Sequence, residues 1–311
     1  GEQISRDLHV SRTAIWKHIN ILKERGYIFE SSTRKGYRLI YAPNLLTPLE
    51  IDSALHTETF GRHVVYLSST TSTNEEAKKI AREGAEEGTI VVAEEQTGGR
   101  GRLTRSFYCP FAKGIWFTLI LRPKFFPMEA SKCTLMAAVG VCRGIRRLGL
   151  QDAGIKWPND ILYHGKKLVG ILTEMSASME KIDYIIIGAG INTGMKKSEF
   201  PELFRESATS FLAEGIDVSR KDLLAAILAE LEKEYEIAQT QGFDKVLEDW
   251  KALSVTLGQD VRVIMGEENY TGKAVDIDKD GCLLVDTGEK VERVIAGDVS
   301  IRPIDAPLPK R

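Results

Sequence analysis

The chain has 311 residues, 43% apolar and 28% charged, which leads to an expectation of two or three ordinary globular domains with a sizeable core. A formal net charge of −2 excludes a whole-chain argument for nucleic acid, and no apolar run reaches the length of a membrane span. Four cysteines without CxxC spacing and five scattered histidines argue against a disulfide framework or a metal cluster. With no signal peptide at its start, the chain reads as cytoplasmic.

Charge is uneven along the chain. Residues 1–41 carry eight Lys or Arg against four acids. Ile4 to Val10 predicts a short helix. Ser11 is a good N-cap for a second helix, on which Ile15, Ile19 and Leu22 recur on one face and after which Gly26 stands. Tyr27-Ile28-Phe29 and Tyr37-Arg38-Leu39-Ile40 predict two strands. Helix, turn, helix and hairpin is the order of a winged helix-turn-helix over residues 1–42. Ser11, Arg12, Thr13, Trp16 and Lys17 could reach a major groove, and Arg34 and Lys35 at the wing tip could meet phosphates. The alternative is a small helical cap with a solvated basic face. Pro43 to Pro48 reads as a linker or the start of the next domain, and Thr47-Pro48 should start a helix running to about Thr57.

Residues 43–255 form the central region. His63 to Leu67 predicts a strand. Ser72-Thr73-Asn74 then opens a helix, either as plain caps or as neutral donors and acceptors for a urea-like ring. Thr89 to Ala93 is a buried-type strand leading into Gln96-Thr97-Gly98-Gly99-Arg100-Gly101-Arg102-Leu103-Thr104-Arg105. There glycine permits positive φ and close approach, and arginine matches carboxylate or phosphate oxygens. That loop could also be only a flexible basic surface loop. Gly114 to Leu121 is a further strand. Ser131 should cap a helix to about Leu148, whose Ala137, Ala138 and Gly140 would let it sit close to the sheet. Lys156-Trp157-Pro158-Asn159-Asp160, the strand Lys166 to Glu174, and Gly188-Ala189-Gly190-Ile191-Asn192 follow. Lys156 could simply cover Trp157, Asn159-Asp160 could be a turn, and the glycines a bend. Ser219 to Asp222 is a capping box opening a long helix, Gly242 ends it, and a second helix carries Trp250. Both read as core scaffold with acidic outer faces. Strands with irregularly interspersed helices predict an α+β fold with a central mixed β-sheet. Over residues 256–304, short strands punctuated by Gly266, Asp280-Gly281 and Gly288 predict a small barrel, with 305–311 a tail.

Ser72-Thr73-Asn74, Gln96 with Gly99-Arg100-Gly101-Arg102, Lys156 to Asp160, Lys167 to Leu172 and Gly188 to Asn192 together resemble the ordered motif set of biotin protein ligases. Ser11 to Ile19 with Lys35 to Leu39 resembles the amino-terminal domain of the bifunctional members that also repress biotin operons. In that family another helix precedes the pair, so a winged segment lacking its first helix is expected. The resemblance implies the mixed sheet shared with lipoate ligases and distantly with class II aminoacyl-tRNA synthetases, and an SH3-like barrel at the carboxyl end. It implies a biotin site of Ser72, Thr73, Asn74, Gln96, Gly99, Arg100, Lys167, Gly170, Leu172, Gly188 and Gly190. In it the polar residues meet the ureido ring, and Arg100 and Lys167 meet the carboxylate and α-phosphate. It implies an ATP and adenylate site of Arg102, Arg105, Phe107, Lys156, Asn159 and Asn192, with Asp160 toward Mg²⁺. Lys167, Arg100, Arg102 and Asp160 would carry the chemistry.

The implied reaction makes biotinyl-5′-AMP from biotin and ATP. It then passes biotin to a lysine of a biotin carboxyl carrier protein, from acetyl-CoA carboxylase or another biotin-dependent carboxylase. Neither step needs a protein nucleophile, in keeping with the lack of a recognisable Ser/His/Asp or Cys/His set. The implied regulatory form is a biotinyl-5′-AMP-bound homodimer on operator DNA. Members usually have a second glycine, a tryptophan and a serine where this chain has Thr104, Phe107 and Cys109. A lipoyl ligase of the same fold, or a DNA-binding biotin sensor without ligase activity, are the alternatives. The polar ring-site residues count against the first and the intact Lys167, Asp160 and Arg102 against the second.

Overall fold

A computed structural model describes residues 2–24, 27–32, 36–41, 44–101, 106–265, 268–295 and 300–303. The chain forms two compact units, residues 1–45 and 46–311. In the first, α1 (Glu2–Asp7) begins two residues before the expected Ile4, and α2 (Arg12–Glu24) follows. Ser11 Oγ accepts the Ala14 N–H at 3.1 Å, as an N-cap does. Ile15 and Ile19 are buried, the helical-period stripe expected of them. β1 (Ile28–Ser32) and β2 (Gly36–Tyr41) pair antiparallel.

The second unit opens with α3 (Pro48–Asp52), capped by Thr47 Oγ1, which accepts the Glu50 N–H at 3.4 Å. This helix has five residues and stops well short of Thr57, whose hydroxyl instead donates to the Phe60 carbonyl. Next come β3 (Val64–Leu67), α4 (Thr73–Arg82), β4 (Ile90–Ala93), β5 (Gly114–Leu121), α5 (Cys133–Arg147), β6 (Gly154–Lys156), β7 (Asp160–Tyr163), β8 (Lys166–Ala177) and β9 (Ile182–Asn192). These strands make one sheet of order β3-β4-β5-β9-β8-β7-β6. Only β3 and β4 run parallel, so the sheet is mixed as expected. Side chains alternate across it. Val91, Ile120 and Ile186 pack with Ala77 and Ala81 of α4 on one face. Ile90, Val92, Leu119, Leu121, Ile185 and Ile187 join the main core with α5 on the other.

α6 (Arg220–Gln241) and α7 (Asp244–Leu253) complete that second layer. Ser219 caps α6 as read, and Gly242, at φ +80°, ends it. Three expectations change here. Ser131 does not cap α5; it lies inside the 3₁₀ turn Pro127–Lys132 that precedes the helix. The glycines of α5 face α6, not the sheet: a Cβ on Gly140 would stand 2.9 Å from the Leu231 Cα, and one on Gly144 2.7 Å from the Ile227 Cα. Nor are the acids of α6 and α7 all outward. Glu230, Glu234 and Asp249 are buried, Glu234 and Asp249 against Arg143 and Glu230 against Arg147. A buried carboxylate needs such a partner, since desolvation is otherwise prohibitive.

The carboxyl-terminal strands are β10 (Asp260–Met265), β11 (Glu268–Ile277), β12 (Leu283–Asp286), β13 (Val291–Val294) and β14 (Ser300–Pro303). They form a five-stranded antiparallel sheet of order β13-β12-β11-β10-β14, the form in which the expected small β domain occurs. Asp278 to Gly281 makes the β11–β12 turn. Asp278 Oδ1 accepts the N–H groups of Asp280 and Cys282, and Gly281 takes φ +79°. The boundary expected near residue 255 separates two sheets but not two units. Trp157 Nε1 donates to the Gly281 carbonyl at 3.0 Å, and the Trp157 N–H to Thr256 Oγ1 at 2.9 Å. The four cysteines are free and buried.

Candidate active site

Strand register builds the floor of the site. Trp116 of β5, Gly190 of β9, Gly170 of β8 and Asp160 of β7 are partners in one row across the sheet. The next row on the same face is Thr118, Gly188 and Leu172; the third is Ile120, Ile186 and Glu174. Since Ile120 and Ile186 face α4, the period of two puts all three rows on the α4 side. Gly188, Gly190 and Gly170 therefore form a trench with no side chains of its own in this sheet face, over which Asn74 (at Gly188) and the Phe107 ring (at Gly190 and Gly170) lie. None of them has positive φ, so each serves close approach and not a turn. The alternative of a mere bend at Gly188–Gly190 does not hold: β9 runs through to Asn192.

One end of the trench is polar. Thr73 and Asn74 begin α4 and turn their side chains to the sheet. Ser72 is the N-cap residue by position, but its side chain makes no capping hydrogen bond, so plain capping does not account for this triplet. Gln96 Oε1 accepts from the Thr73 N–H at 2.7 Å and lies 3.0 Å from the Thr73 hydroxyl. Its Nε2 donates to Cys109 Sγ at 3.2 Å. Asn74 Nδ2 donates to Glu174 at 2.8 Å and to the Leu172 carbonyl at 3.4 Å, and Thr118 Oγ1 lies 2.7 Å from Asn74 Oδ1. A Cβ on Gly188 would stand 2.0 Å from that same Oδ1. Lys78 of α4 bridges Glu174 at 2.7 Å and Glu75 at 3.0 Å. Partial burial pulls the Lys78 ammonium down, but the two carboxylates outweigh it and hold its pKa above the usual lysine value. The hydrogen bond from Lys78, joined by the Arg100 and Arg82 charges, holds Glu75 below the usual carboxylate range.

The other end carries a cation. Lys167 Nζ is 2.8 Å from Asp160 Oδ1, an ion contact without hydrogen-bond alignment, and 5.5 Å from the centre of the Phe107 ring. That ring lies along the trench: Cβ atoms built on Gly190 and Gly170 would approach it to 2.9 and 3.0 Å. It also meets Trp116 edge-on at 6.0 Å. Phe107 thus sits on the floor glycines.

The glycine–arginine loop has an ordered stem. Gln96 pairs with Cys109, the Phe107 N–H donates to the Gly99 carbonyl at 2.9 Å, and Arg100 pairs with Ser106. Gly98 and Gly99 do not use the positive φ that glycine permits; they serve close approach. A Cβ on Gly98 would press on Thr71, and one on Gly99 on the Phe107 carbonyl at 2.5 Å, so the glycines let this chain approach itself. The stem's root is fixed by a fully buried pair the sequence reading missed, Glu94 with Arg220 at 2.8 Å, where Glu94 also accepts the Leu46 N–H. Arg100 is largely exposed and lies 3.7 Å from Glu75, toward the polar end, and is not part of the Lys167–Asp160 contact. Arg102, Thr104 and Arg105 lie outside the described residues.

The remaining expected residues are braced. Asn159 and Asn192 are buried, with their amides given to the carbonyls of Ile171 and Thr209. Lys156 ends β6, opposite Asp160. Burial pushes the Cys109 thiol up to about 12, partly offset by the Gln96 amide, so it is a neutral packing and accepting group. Thr118, Glu174, Lys78 and Glu75 were not singled out from sequence. Thr118 was findable, being the only hydroxyl-bearing residue in Gly114–Leu121. In the first unit Ser11, Arg12, Thr13, Trp16 and Lys17 are all exposed at the start of α2, as a groove-reading surface requires; Arg34 and Lys35 lie outside the described residues.

Comparison with known proteins gives this arrangement a context. The biotin/lipoate A/B protein ligase family matches residues 66–192, the biotin protein ligase C terminal domain 256–302, and an HTH domain 1–38. The chain is 40% identical to the bifunctional ligase/repressor BirA of Bacillus subtilis (strain 168) over 302 residues, 97% of this chain and 93% of that protein. It is 30% identical to the Escherichia coli (strain K12) bifunctional ligase/repressor BirA, over 97% of this chain and 92% of that one. Among solved structures, a biotin protein ligase from Aquifex aeolicus in complex with biotin and ATP superposes with TM-score 0.68 at 28% identity, covering 78% of this chain and 99% of that chain.

Proposed function

The chain belongs to the bifunctional ligase/repressor family of biotin protein ligases, and from that premise we propose how its own residues divide the work. It activates biotin with ATP as biotinyl-5′-AMP and transfers biotin to a lysine of a biotin carboxyl carrier protein. Through its helix-turn-helix segment it represses biotin genes. The observation that carries the reading is the trench floored by Gly188, Gly190 and Gly170, polar at one end and cationic at the other. A bicyclic urea with an apolar tail and a terminal carboxylate has that same sequence of chemistries.

Ser72, Thr73, Asn74 and Gln96 hold the ring through neutral hydrogen bonds. The tail runs beside Leu172 along the glycine row, from which the Phe107 ring has to swing aside, with Gly99 shaping the loop stem above. Lys167, with Arg100 and Arg102 brought over by the loop, neutralises the carboxylate and the α-phosphate. The carboxylate oxygen attacks the α-phosphorus and pyrophosphate leaves; the carrier amine then attacks the acyl carbon and AMP leaves. No side chain is a nucleophile. The rate comes from alignment and charge stabilisation at phosphorus. Arg105, Phe107, Lys156, Asn159 and Asn192 form the nucleotide end, the two asparagines by fixing the strands they brace. Among the described residues no three acids, histidines or cysteines cluster as a metal cage. Asp160 beside Lys167 fits a Mg²⁺ ion carried in on the triphosphate, which needs only one or two protein carboxylates and supplies charge neutralisation. The regulatory form is an adenylate-bound homodimer on operator DNA, contacted by Ser11, Arg12, Thr13, Trp16, Lys17, Arg34 and Lys35.

Incubating the protein with biotin, Mg²⁺-ATP and a carrier domain should add one biotinyl mass to the carrier lysine. An unmodified carrier refutes the ligase reading, and modification only with lipoate selects the alternative ligase. In a salt titration of operator binding, biotin with ATP should raise affinity. An adenylate-independent isotherm refutes the repressor reading.

A further inference from the structure

We infer that Glu174 is a positioning residue that fixes which way round the Asn74 amide faces, and so sets the donor and acceptor polarity of the ring end of the trench. The inference deepens the biotin reading and rests on it for its ligand. An asparagine side chain has two nearly isosteric ends, and only its neighbours decide which is which. Here one end meets the Glu174 carboxylate at 2.8 Å and the Leu172 carbonyl at 3.4 Å. Both can only accept, so this end is the NH₂. The other end is then Oδ1, standing over Gly188, 2.7 Å from the Thr118 hydroxyl.

That assignment propagates. Thr118 has one proton and two oxygens in reach, Asn74 Oδ1 at 2.7 Å and Thr73 Oγ1 at 2.8 Å. Asn74 Oδ1 cannot donate, so Thr118 donates to it, and Thr73 becomes free to donate to Thr118 or to Gln96 Oε1. With the amide reversed, the NH₂ would point at Thr118, and the run of hydroxyls would invert. The floor would then offer a donor where a cyclic urea presents its own N–H. Glu174 can do this because it is itself held. Lys78 grips its other oxygen at 2.7 Å, leaving Oε2 for Asn74. A neutral side chain at 174 could present either a donor or an acceptor, leaving only the longer contact to the Leu172 carbonyl at 3.4 Å to favour one orientation. A charge-assisted hydrogen bond enforces one orientation more strongly than a neutral pair.

The test is a double-mutant cycle in the full chain, with biotin as the probe in titration calorimetry. Asn74→Asp sets two carboxylates face to face and should weaken biotin binding by roughly 100-fold, the range expected for a lost charged hydrogen bond plus repulsion. Glu174→Gln should weaken it about 5- to 10-fold. With both substitutions present, the new amide at position 174 can donate to the new carboxylate at position 74, so the double variant should return to within about tenfold of wild type. Single effects that simply multiply overturn the inference. For Glu174→Gln the loss should fall on the biotin KM, with kcat at saturating biotin within about threefold of wild type. A kcat loss with unchanged KM also overturns it. A ligand-free readout separates this inference from the biotin reading. The Asn74 side-chain NH₂ should exchange slowly in the wild type and at least about tenfold faster in Glu174→Ala. Equal exchange refutes the role of Glu174 whatever the ligand, whereas slow exchange in a protein that binds no biotin refutes only the biotin reading.

Discussion

Gly188→Ala tests the trench most directly. The added Cβ would stand 2.0 Å from Asn74 Oδ1 and 2.8 Å from its Cγ. Ordinary contact begins near 3.4 Å, so the oxygen must retreat by about 1.4 Å or β9 must shift. The strand is held on both sides, by β5 and by β8, and Asn74 is buried at the start of α4, so the side chain gives way. A retreat of that size lengthens the 2.7 Å contact with Thr118 and the 2.8 Å bond to Glu174 beyond hydrogen-bond range. Losing them costs about 1 kcal/mol for the neutral contact and about 1.5–3 kcal/mol for the charged one. Part is regained if water enters, so destabilisation should be about 2–4 kcal/mol, in the range for an overpacked site. Biotin affinity should fall at least about 100-fold, since the methyl also occupies the ring floor. Urea denaturation measures the first and calorimetry the second. Adding Asn74→Ala to Gly188→Ala should restore at least about half the lost stability while leaving binding broken. Biotin affinity within threefold of wild type for Gly188→Ala would refute the reasoning.

Lys167→Ala should slow adenylate formation roughly 100- to 1000-fold, the usual cost of one transition-state charge contact, read as pyrophosphate release; near-normal release refutes its assigned role. Cys109 and Cys142 are pushed up by burial, to about 12 and about 11. Their thiolates are scarce at pH 8, so a thiol reagent should modify the native chain at least about 100-fold more slowly than the urea-unfolded chain. For such acids the folded pKa exceeds the unfolded one. Their stability contribution is intact below about pH 8.5 and declines above it, and the urea midpoint should fall between about pH 9 and 11. Asp278 is drawn the other way: although partial burial opposes it, Arg293 and two backbone N–H groups hold its pKa below the ordinary aspartate value. Its contribution is present above about pH 4 and lost as pH falls through the lowered value. Asp278→Asn should therefore cost about 1–2 kcal/mol at pH 7 and progressively less as pH falls through the lowered value; a pH-independent difference refutes the assignment.

Elements with strong periodicity or punctuation were legible in the sequence. The buried run Ile90–Ala93, the strand Gly114–Leu121 and the helix between Ser219 and Gly242 stand where their apolar spacing puts them. Caps and short helices were less so. Thr47-Pro48 predicts a start correctly, but nothing in the residues after Asp52 announces so early a stop. Ser131 is a good cap residue placed inside a 3₁₀ turn, because Phe126-Pro127 starts that turn first. Small residues on α5 announce close approach without saying to what, and for the glycines the partner is a helix distant in sequence. The same limit governs the site. Motifs named the trench glycines and the polar triplet, but Thr118 and Glu174 acquire meaning only through register, when Thr118, Gly188 and Leu172 fall in one row and Glu174 in the next. Burial of Glu94 and Arg220 is a pairing 126 residues apart, invisible to any local pattern.

The indole of Trp157 has a consequence for how far this enzyme can be trimmed. Its ring N–H is satisfied by Gly281 and its backbone N–H by Thr256, while Gly281 itself rests against Leu135 of α5. All three contacts tie residues beyond Leu253 to the main core, two of them at the turn that delivers Asp160. A chain cut after Leu253 would leave a large indole donor and the Leu135 side chain facing water, next to the carboxylate that pairs with Lys167. The small sheet is therefore not a detachable module. It forms one wall of the turn that positions Asp160, and a minimal ligase built from this sequence has to keep it.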